Sequence, residues 1–416
     1  MNKLFKNIVE ITKATVESIK FMNNHKTKAT YFNRSTGKMK FSEAMYFIIK
    51  GIKKTLQIEL DTWFEGQGKE SMTKQSFSEL RQKISPKAFV ELNDIFVEQF
   101  YTNEYKKYKG YRLLAIDGSI TEIPNTAQNR EYFRYYHNQS EWKQARAMVT
   151  VVYDIENDCM VESDIRTWKA AERDVAKDLI EKVCKKGTKN DLILFDRGYP
   201  SIGMFEFLEE KQVKFLMRVK KGKFQNQIDA ANEKDQIIVI GKNELKLRVV
   251  NVELSTGETE KLVTNLLYNE FSESDFKDLY FKRWGIEVKY NQLKSKYELE
   301  NFSGCVPMAI EQDFYANIFL SNMLSLAKNE ANYNIKAEKQ GLKYDYKVNM
   351  NIFIGKMIPV LIICLTEEND KKRGKLYQKV MKEVCKNVVP VRPDRSFPRR
   401  EPSRKNKYPF TRRRAL

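Results

Sequence analysis

An α/β core, interrupted by a β-rich insertion and flanked by helical regions, is the fold class that the sequence predicts. Three observations point to it. Short β-branched and apolar runs alternate with amphipathic stretches between residues 108 and 221. Three strand-like runs with no helical spacing between them follow in 222–268. Helical apolar spacing dominates before residue 107 and again after residue 269.

Residues 1–107 read as a helical N-terminal region. TKQSFSELRQKISPKAFVELNDIFVEQFY (Thr73–Tyr101) has helical spacing broken at Ser85-Pro86. Two helices meeting at a polar turn form either a DNA-reading helix-turn-helix, with Arg81 and Lys83 as candidate readers, or a small packing unit. The first part of the core, 108–221, opens with YRLLAIDGSITEI (Tyr111–Ile123), a strand. RAMVTVVYDIE (Arg146–Glu156) and CMVESDIRTW (Cys159–Trp168) flank the turn-forming Asn157-Asp158 as a hairpin. AAERDVAKDLIEKVCKK (Ala171–Lys186) is helical, DLILF begins a buried strand at Asp191, Ile202–Glu210 is helical and Val213–Lys221 a strand. Three leading strands followed by alternating helix and strand match the ribonuclease-H-like fold. The insertion, 222–268, holds strands at Gln236–Gly241, Leu245–Leu254 and Glu260–Tyr268. The core resumes in 269–304 with one helix over Ser272–Leu299, capped by Ser272 or Ser274. Residues 305–385 form an apolar helical C-terminal region, and 386–416 a basic tail. Half of the ten prolines lie in that tail, which ends in Thr411-Arg412-Arg413-Arg414. It is either a solvated tail or an arm that touches phosphates.

Composition narrows the function. The chain has 416 residues, and 74 Lys+Arg against 55 Asp+Glu leave a net charge of +19, which points to a polyanion: DNA, RNA or an anionic membrane surface. The excess is spread along the chain and not confined to one amphipathic helix, which disfavours the membrane. Five cysteines are far apart, with no CxxC or Cys/His cluster of zinc spacing, and read as reduced intracellular thiols. The N-terminus lacks the apolar core of a signal peptide, and the run Ile358–Leu365 is too short to span a bilayer. With only two histidines, chemistry built on histidine is poorly supplied.

Carboxylates are plentiful. Asp117 sits in the buried strand LLAIDGS, where a carboxylate is costly unless paired or bound to a cation. Asp196 closes LILF and precedes Arg197-Gly198-Tyr199, at a strand end of the kind where α/β sheets place ligands. Each alone could equally be a cap or a structural partner of arginine. Further on, Tyr280, Arg283, Glu287 and Lys294 fall within an arc of about 60° on one helix. Phe281, Trp284 and Val288 flank this polar ridge on one side, with Leu279, Ile286 and Leu293 on the other. An i,i+4 pair of Arg283 with Glu287 accounts for two of the four residues only.

Tyr280-x2-Arg283-x3-Glu287-x6-Lys294 resembles the Y-(2)-R-(3)-E-(6)-K signature of the IS4-like DDE transposases. Asp117 in IDGS and Asp196 in FDRGY resemble that family's first and second acidic residues, and Thr264-Asn265-Leu266 also resembles a family segment. The likeness covers roughly Tyr111–Gly304 and reaches the N-terminal region weakly.

The resemblance implies a DNA transposase that binds the terminal inverted repeats of an insertion sequence and performs metal-dependent strand cleavage and strand transfer. It implies that Asp117, Asp196 and Glu287 hold two Mg2+ ions, with Mn2+ able to substitute. Hard oxygen ligands and the scarcity of histidine suit those ions better than zinc. Tyr280, Arg283 and Lys294 would contact DNA phosphates, Arg as a planar fork and Lys as a point charge. The partners implied are double-stranded DNA, as inverted repeats and target, and a second copy of the chain in a synaptic homodimer, with the 305–385 helices as the candidate surface. The setting implied is the bacterial cytoplasm, on the nucleoid when acting. Some family members stack a flipped base on a Trp of the insertion; here 222–268 holds no Trp, and Phe224 and Tyr268 are its only aromatics. Two other readings keep the same residues: a nuclease of this fold without strand transfer, and a catalytically silent DNA-binding derivative.

Overall fold

The structure, a computed structural model, describes residues 2–33, 37–137, 142–187, 190–220, 226–253, 258–266 and 271–392. Helices α1 (Lys3–Glu17), α2 (Ile19–His25), α3 (Phe41–Ile49), α4 (Leu56–Glu65), α5 (Lys74–Arg81) and α6 (Lys87–Tyr101) come first. Then follow β1 (Arg112–Glu122), α7 (Ala127–Tyr132), β2 (Tyr135–His137), β3 (Lys143–Asp154), β4 (Cys159–Thr167), α8 (Glu172–Lys185), β5 (Asp191–Phe195), α9 (Ile202–Glu210) and β6 (Lys214–Val219). The short helix α10 (Asn226–Ala230) leads into β7 (Asp235–Ile240), β8 (Leu245–Glu253) and β9 (Thr259–Thr264). The chain continues through α11 (Glu273–Lys282), α12 (Trp284–Ser295), α13 (Pro307–Glu338), β10 (Asp345–Val348), α14 (Met350–Thr366), α15 (Asp370–Lys386) and β11 (Val388–Val391).

These elements divide into two units. One is formed by Met1–Asn103, Thr121–Ala147 and Gln292–Leu416, the other by Glu104–Ile120 and Met148–Asn291. The sequence segments expected as domains therefore do not coincide with the spatial units.

The first unit is largely helical. Phe5, Ile8, Val9 and Val16 recur at helical spacing along α1 and are buried. The chain breaks between α5 and α6 at Ser85-Pro86 as expected, because Pro disfavours helix in the residue before it. Arg81 corrects an expectation. It is only 2% exposed, and its guanidinium donates to Gln312 Oε1 at 2.8 Å, Ser303 Oγ at 2.6 Å and Asp313 Oδ1 at 2.8 Å. A guanidinium so committed braces α5 against α13 and is not a reader of DNA. The basic tail begins in a strand: β11 pairs antiparallel with β10, Val348 opposite Val388. The rest of the tail, from residue 393, lies outside the described residues, as do Phe224 and Tyr268.

The second unit is built on a sheet with the strand order β3-β1-β5-β6-β9-β8-β7, and β4 pairs with β3 on the far side. Thus β4-β3-β1-β5-β6 reproduces the five-stranded ribonuclease-H-like order, with β1 parallel to β5 and β5 parallel to β6. Leu113–Ala115 and Leu192–Phe195 are fully buried, as central strands covered on both faces must be. The hairpin turn is confirmed by Asp158, whose φ of +54° is the left-handed conformation that Asp tolerates. The three insertion strands extend the same sheet: β9 joins β6 antiparallel, with Leu216 opposite Thr264. Thr264-Asn265-Leu266 serves this junction. Asn265 accepts from Phe215 N–H at 3.0 Å and donates to Val213 O at 3.0 Å, while the Thr264 hydroxyl donates to Phe215 O.

One helix was expected over Ser272–Leu299; there are two, parted at Arg283. Arg283 N–H donates to Tyr280 O at 3.0 Å and Ile286 N–H to Arg283 O at 3.1 Å, a three-residue spacing tighter than the α-helix. Helix α12 also comes very close to the hairpin: a Cβ on Gly285 would stand 3.1 Å from Ile155.

Candidate active site

The site grows from β1 and β5. These neighbours run parallel in the register Ala115 opposite Leu194. Asp117 is two residues beyond Ala115 and Asp196 two beyond Leu194, where β5 has ended, and the Asp196 charge acts on the Asp117 carboxyl. Asp117 lies within β1, and Asp196 follows the last residue of β5. Asp117 Oδ1 accepts from the next N–H, that of Gly118, at 2.9 Å.

Glu287 arrives on α12. Arg283 Nη2 donates to its Oε1 at 2.9 Å and stands 4.0 Å from Asp196 Oδ1, so one guanidinium serves both carboxylates. Arg283 is 4% exposed and packs between the rings of Tyr280 and Trp284, about 5.5 and 5.4 Å from their centroids. Its Nε and the Tyr280 hydroxyl are buried donors with no acceptor among the described residues. Burial pushes the Tyr280 phenol well above its usual range. Lys294, in the last turn of α12, lies 3.7 Å from Glu300. The apolar flanks of the expected ridge behave differently. Leu279, Ile286 and Leu293 are buried, whereas Phe281, Trp284 and Val288 are exposed.

Three residues that the sequence reading passed over support Asp117. Glu172, the first residue of α8, accepts at Oε1 from the Gly118 N–H at 3.1 Å. Tyr199 O–H donates to the same oxygen at 2.8 Å. Tyr290, one turn beyond Glu287, donates its hydroxyl to Asp117 O at 2.8 Å, tying the Glu287 helix to the Asp117 strand. The sequence signals only an acidic first turn on α8 for Glu172, and nothing for the two tyrosines.

Burial, and after it the charge of Glu172, push the Asp117 carboxyl up to about 7; the Gly118 N–H and Arg283 pull the other way, and Asp196 adds to the rise. Such a carboxyl holds its proton more tightly folded than unfolded, where its value is about 3.9. Its contribution to stability therefore falls as pH rises from about 4 to about 7, and is level above that. Melting of the metal-free protein by calorimetry is expected to show this decline, and Asp117→Asn to remove it. An equal decline in the variant assigns the effect to another group.

Among the described residues, no three His, Cys, Asp or Glu side chains are gathered into a ready metal cluster. The donor chemistry nonetheless fits a hard divalent ion, since Asp117, Asp196 and Glu287 offer carboxylate oxygens. Arg283 supplies the positive charge at two of them and has to move for both to face a cation.

The Transposase DDE domain family matches residues 108–323, more than half of the chain. The transposase InsG for insertion sequence element IS4, from Escherichia coli (strain K12), is 24% identical over 320 residues, covering 72% of this chain and 70% of that one. Among solved structures, a piggyBac transposase synaptic complex with hairpin DNA covers 91% of this chain and 83% of its own, with TM-score 0.45 and 12% identity. A Drosophila P element transposase strand transfer complex covers 90% and 78%, with TM-score 0.27 and 9% identity.

Proposed function

The chain belongs to the Transposase DDE domain family and is a DNA transposase; from that premise we propose that Asp117, Asp196 and Glu287 are its catalytic and metal-holding residues. The observation that carries the assignment is that Asp117 in β1 and Asp196, just past the end of the parallel neighbour β5, act on each other's charge while Arg283 spans Asp196 and Glu287. The family depends on divalent metal, and the oxygen-only donor set favours Mg2+, with Mn2+ as substitute. When bound, two such ions activate an attacking oxygen and stabilise a leaving one in an in-line displacement at phosphorus.

The protein's own part is to place and release charge. Asp117 gives up its proton, and Tyr290 keeps its strand against the Glu287 helix. Arg283 turns from Glu287 toward DNA, where phosphate oxygens satisfy its Nε and the Tyr280 hydroxyl. Lys294 adds a point charge one helix end away. The substrate on this reading is double-stranded DNA bearing terminal inverted repeats, cut and joined to a target by a homodimer in the bacterial cytoplasm. Sequence reading falls to the helical region 1–107, by residues other than Arg81. Among the described residues, no helix is long and apolar enough to cross a membrane.

The test is incubation with Mg2+ and DNA that carries the element's inverted repeats, beside a second DNA. Cleaved ends joined to the second DNA are expected. Cleavage without joining gives the nuclease reading, and binding without cleavage the silent one. Arg283→Ala and Lys294→Ala are each expected to weaken end binding and to lower the log–log salt slope by about one. An unchanged slope in binding titrations places that side chain away from phosphate.

A further inference from the structure

Glu172 meets β1 at Gly118, next to Asp117, in a way that a surface glutamate does not. Its Oε1 and Asp117 Oδ1 accept from one and the same N–H, that of Gly118, at 3.1 and 2.9 Å. Tyr199, itself 1% exposed, fixes that oxygen with a hydrogen bond of 2.8 Å. Glycine at 118 permits the approach, since a Cβ there would stand 2.6 Å from Glu172 Oε1. A carboxylate in the first turn of a helix ordinarily answers the helix dipole. Asp174, in the same first turn and exposed, is placed to do so as well.

Two carboxylates on one N–H repel each other, and the arrangement is unfavourable until a cation joins them. Nearby, the Tyr280 hydroxyl and Arg283 Nε, on side chains more than nine-tenths buried, stand without acceptors among the described residues. The site is thus incomplete in both charge and hydrogen bonding. We propose that Glu172 is a fourth carboxylate of the cation site, held by Tyr199, whose charge strengthens divalent-metal binding at Asp117. This rests on the reading that Asp117, Asp196 and Glu287 hold the metal.

The experiment titrates the full-length, DNA-free protein with Mn2+ and follows the loss of the free-ion electron paramagnetic resonance signal. Glu172→Gln keeps the shape and the acceptor oxygen but removes the charge. It is expected to weaken Mn2+ binding by about tenfold, and Tyr199→Phe, which leaves Glu172 charged but unanchored, by a smaller factor. Melting of the metal-free variants at the wild-type temperature confirms that they fold. Wild-type Mn2+ affinity in Glu172→Gln, with Asp117→Asn impaired, overturns this inference alone. Wild-type affinity in Asp117→Asn as well overturns the metal assignment beneath it. If Glu172→Gln does not fold, Tyr199→Phe decides: unchanged affinity there counts against the role.

Discussion

Asp117→Asn, Asp196→Asn and Glu287→Gln each lower metal-dependent strand cleavage by about 10^3-fold or more, a loss of about 4 kcal/mol in transition-state stabilisation. Each substitution keeps volume and removes one charge, so the effect isolates the carboxylate from the packing around it. The position of Asp117 makes it the sharpest of the three. It lies inside a strand whose preceding residues, Leu113 to Ile116, are buried to within 1%. A carboxylate there costs stability, and a metal-free Asp117→Asn protein should fold at least as well as wild type at neutral pH. Lost cleavage together with undiminished melting temperature is therefore the expected pair of results, read by gel assay and calorimetry. Cleavage in Mg2+ at the wild-type rate by any of the three variants removes that residue from the site.

Lys289→Met is expected to lower unfolding stability by about 3–5 kcal/mol, the cost of leaving one buried charge without its partner. Lys289 is 2% exposed, and its Nζ donates to Asp158 Oδ1 at 2.8 Å. Tyr153 O–H donates to that oxygen too, at 2.8 Å. Asp158 is the left-handed turn residue of the β3–β4 hairpin, so the pair fastens α12 to that hairpin two residues beyond Glu287. Replacing both charges, as Lys289→Met with Asp158→Asn, should recover much of the loss, because a vacated pair costs far less than a broken one. Urea unfolding measures both. A single variant within about 0.5 kcal/mol of wild type means that the pair is solvated and does not seat the helix.

Much of the core was readable in advance. The central strands β1 and β5 are buried on both faces, so they appear as unbroken apolar runs, and Asn157-Asp158 marks its turn by residue type alone. The acidic residues were readable because a carboxylate in an apolar strand is conspicuous, and because the signature requires four letters at three spacings. The parting of α11 and α12 at Arg283 was not read, although Gly285, a poor helix former, stands two residues on and marks a weak point in the run. Arg81 misled as well. In a charge-rich helix an arginine reads as solvent-facing, and only its contacts to residues 303–313 show it enclosed.

By itself, the sequence determined most of the strand-and-helix order, the basic excess and which carboxylates are candidates for the site, because these depend on residue type and short-range period. Which carboxylates share a neighbourhood was decided by tertiary structure. Glu172 and Asp174 are indistinguishable acids in one helical turn until α8 begins beside Gly118 of β1, 54 residues earlier in the chain. Parallel pairing of β1 with β5 then brings Asp117 and Asp196 to neighbouring chain segments, while the packing of α12 ties Tyr290 to Asp117 and joins Glu287 to Asp196 through Arg283. Local preference carries no information about such meetings, which are fixed by long-range pairing and close packing.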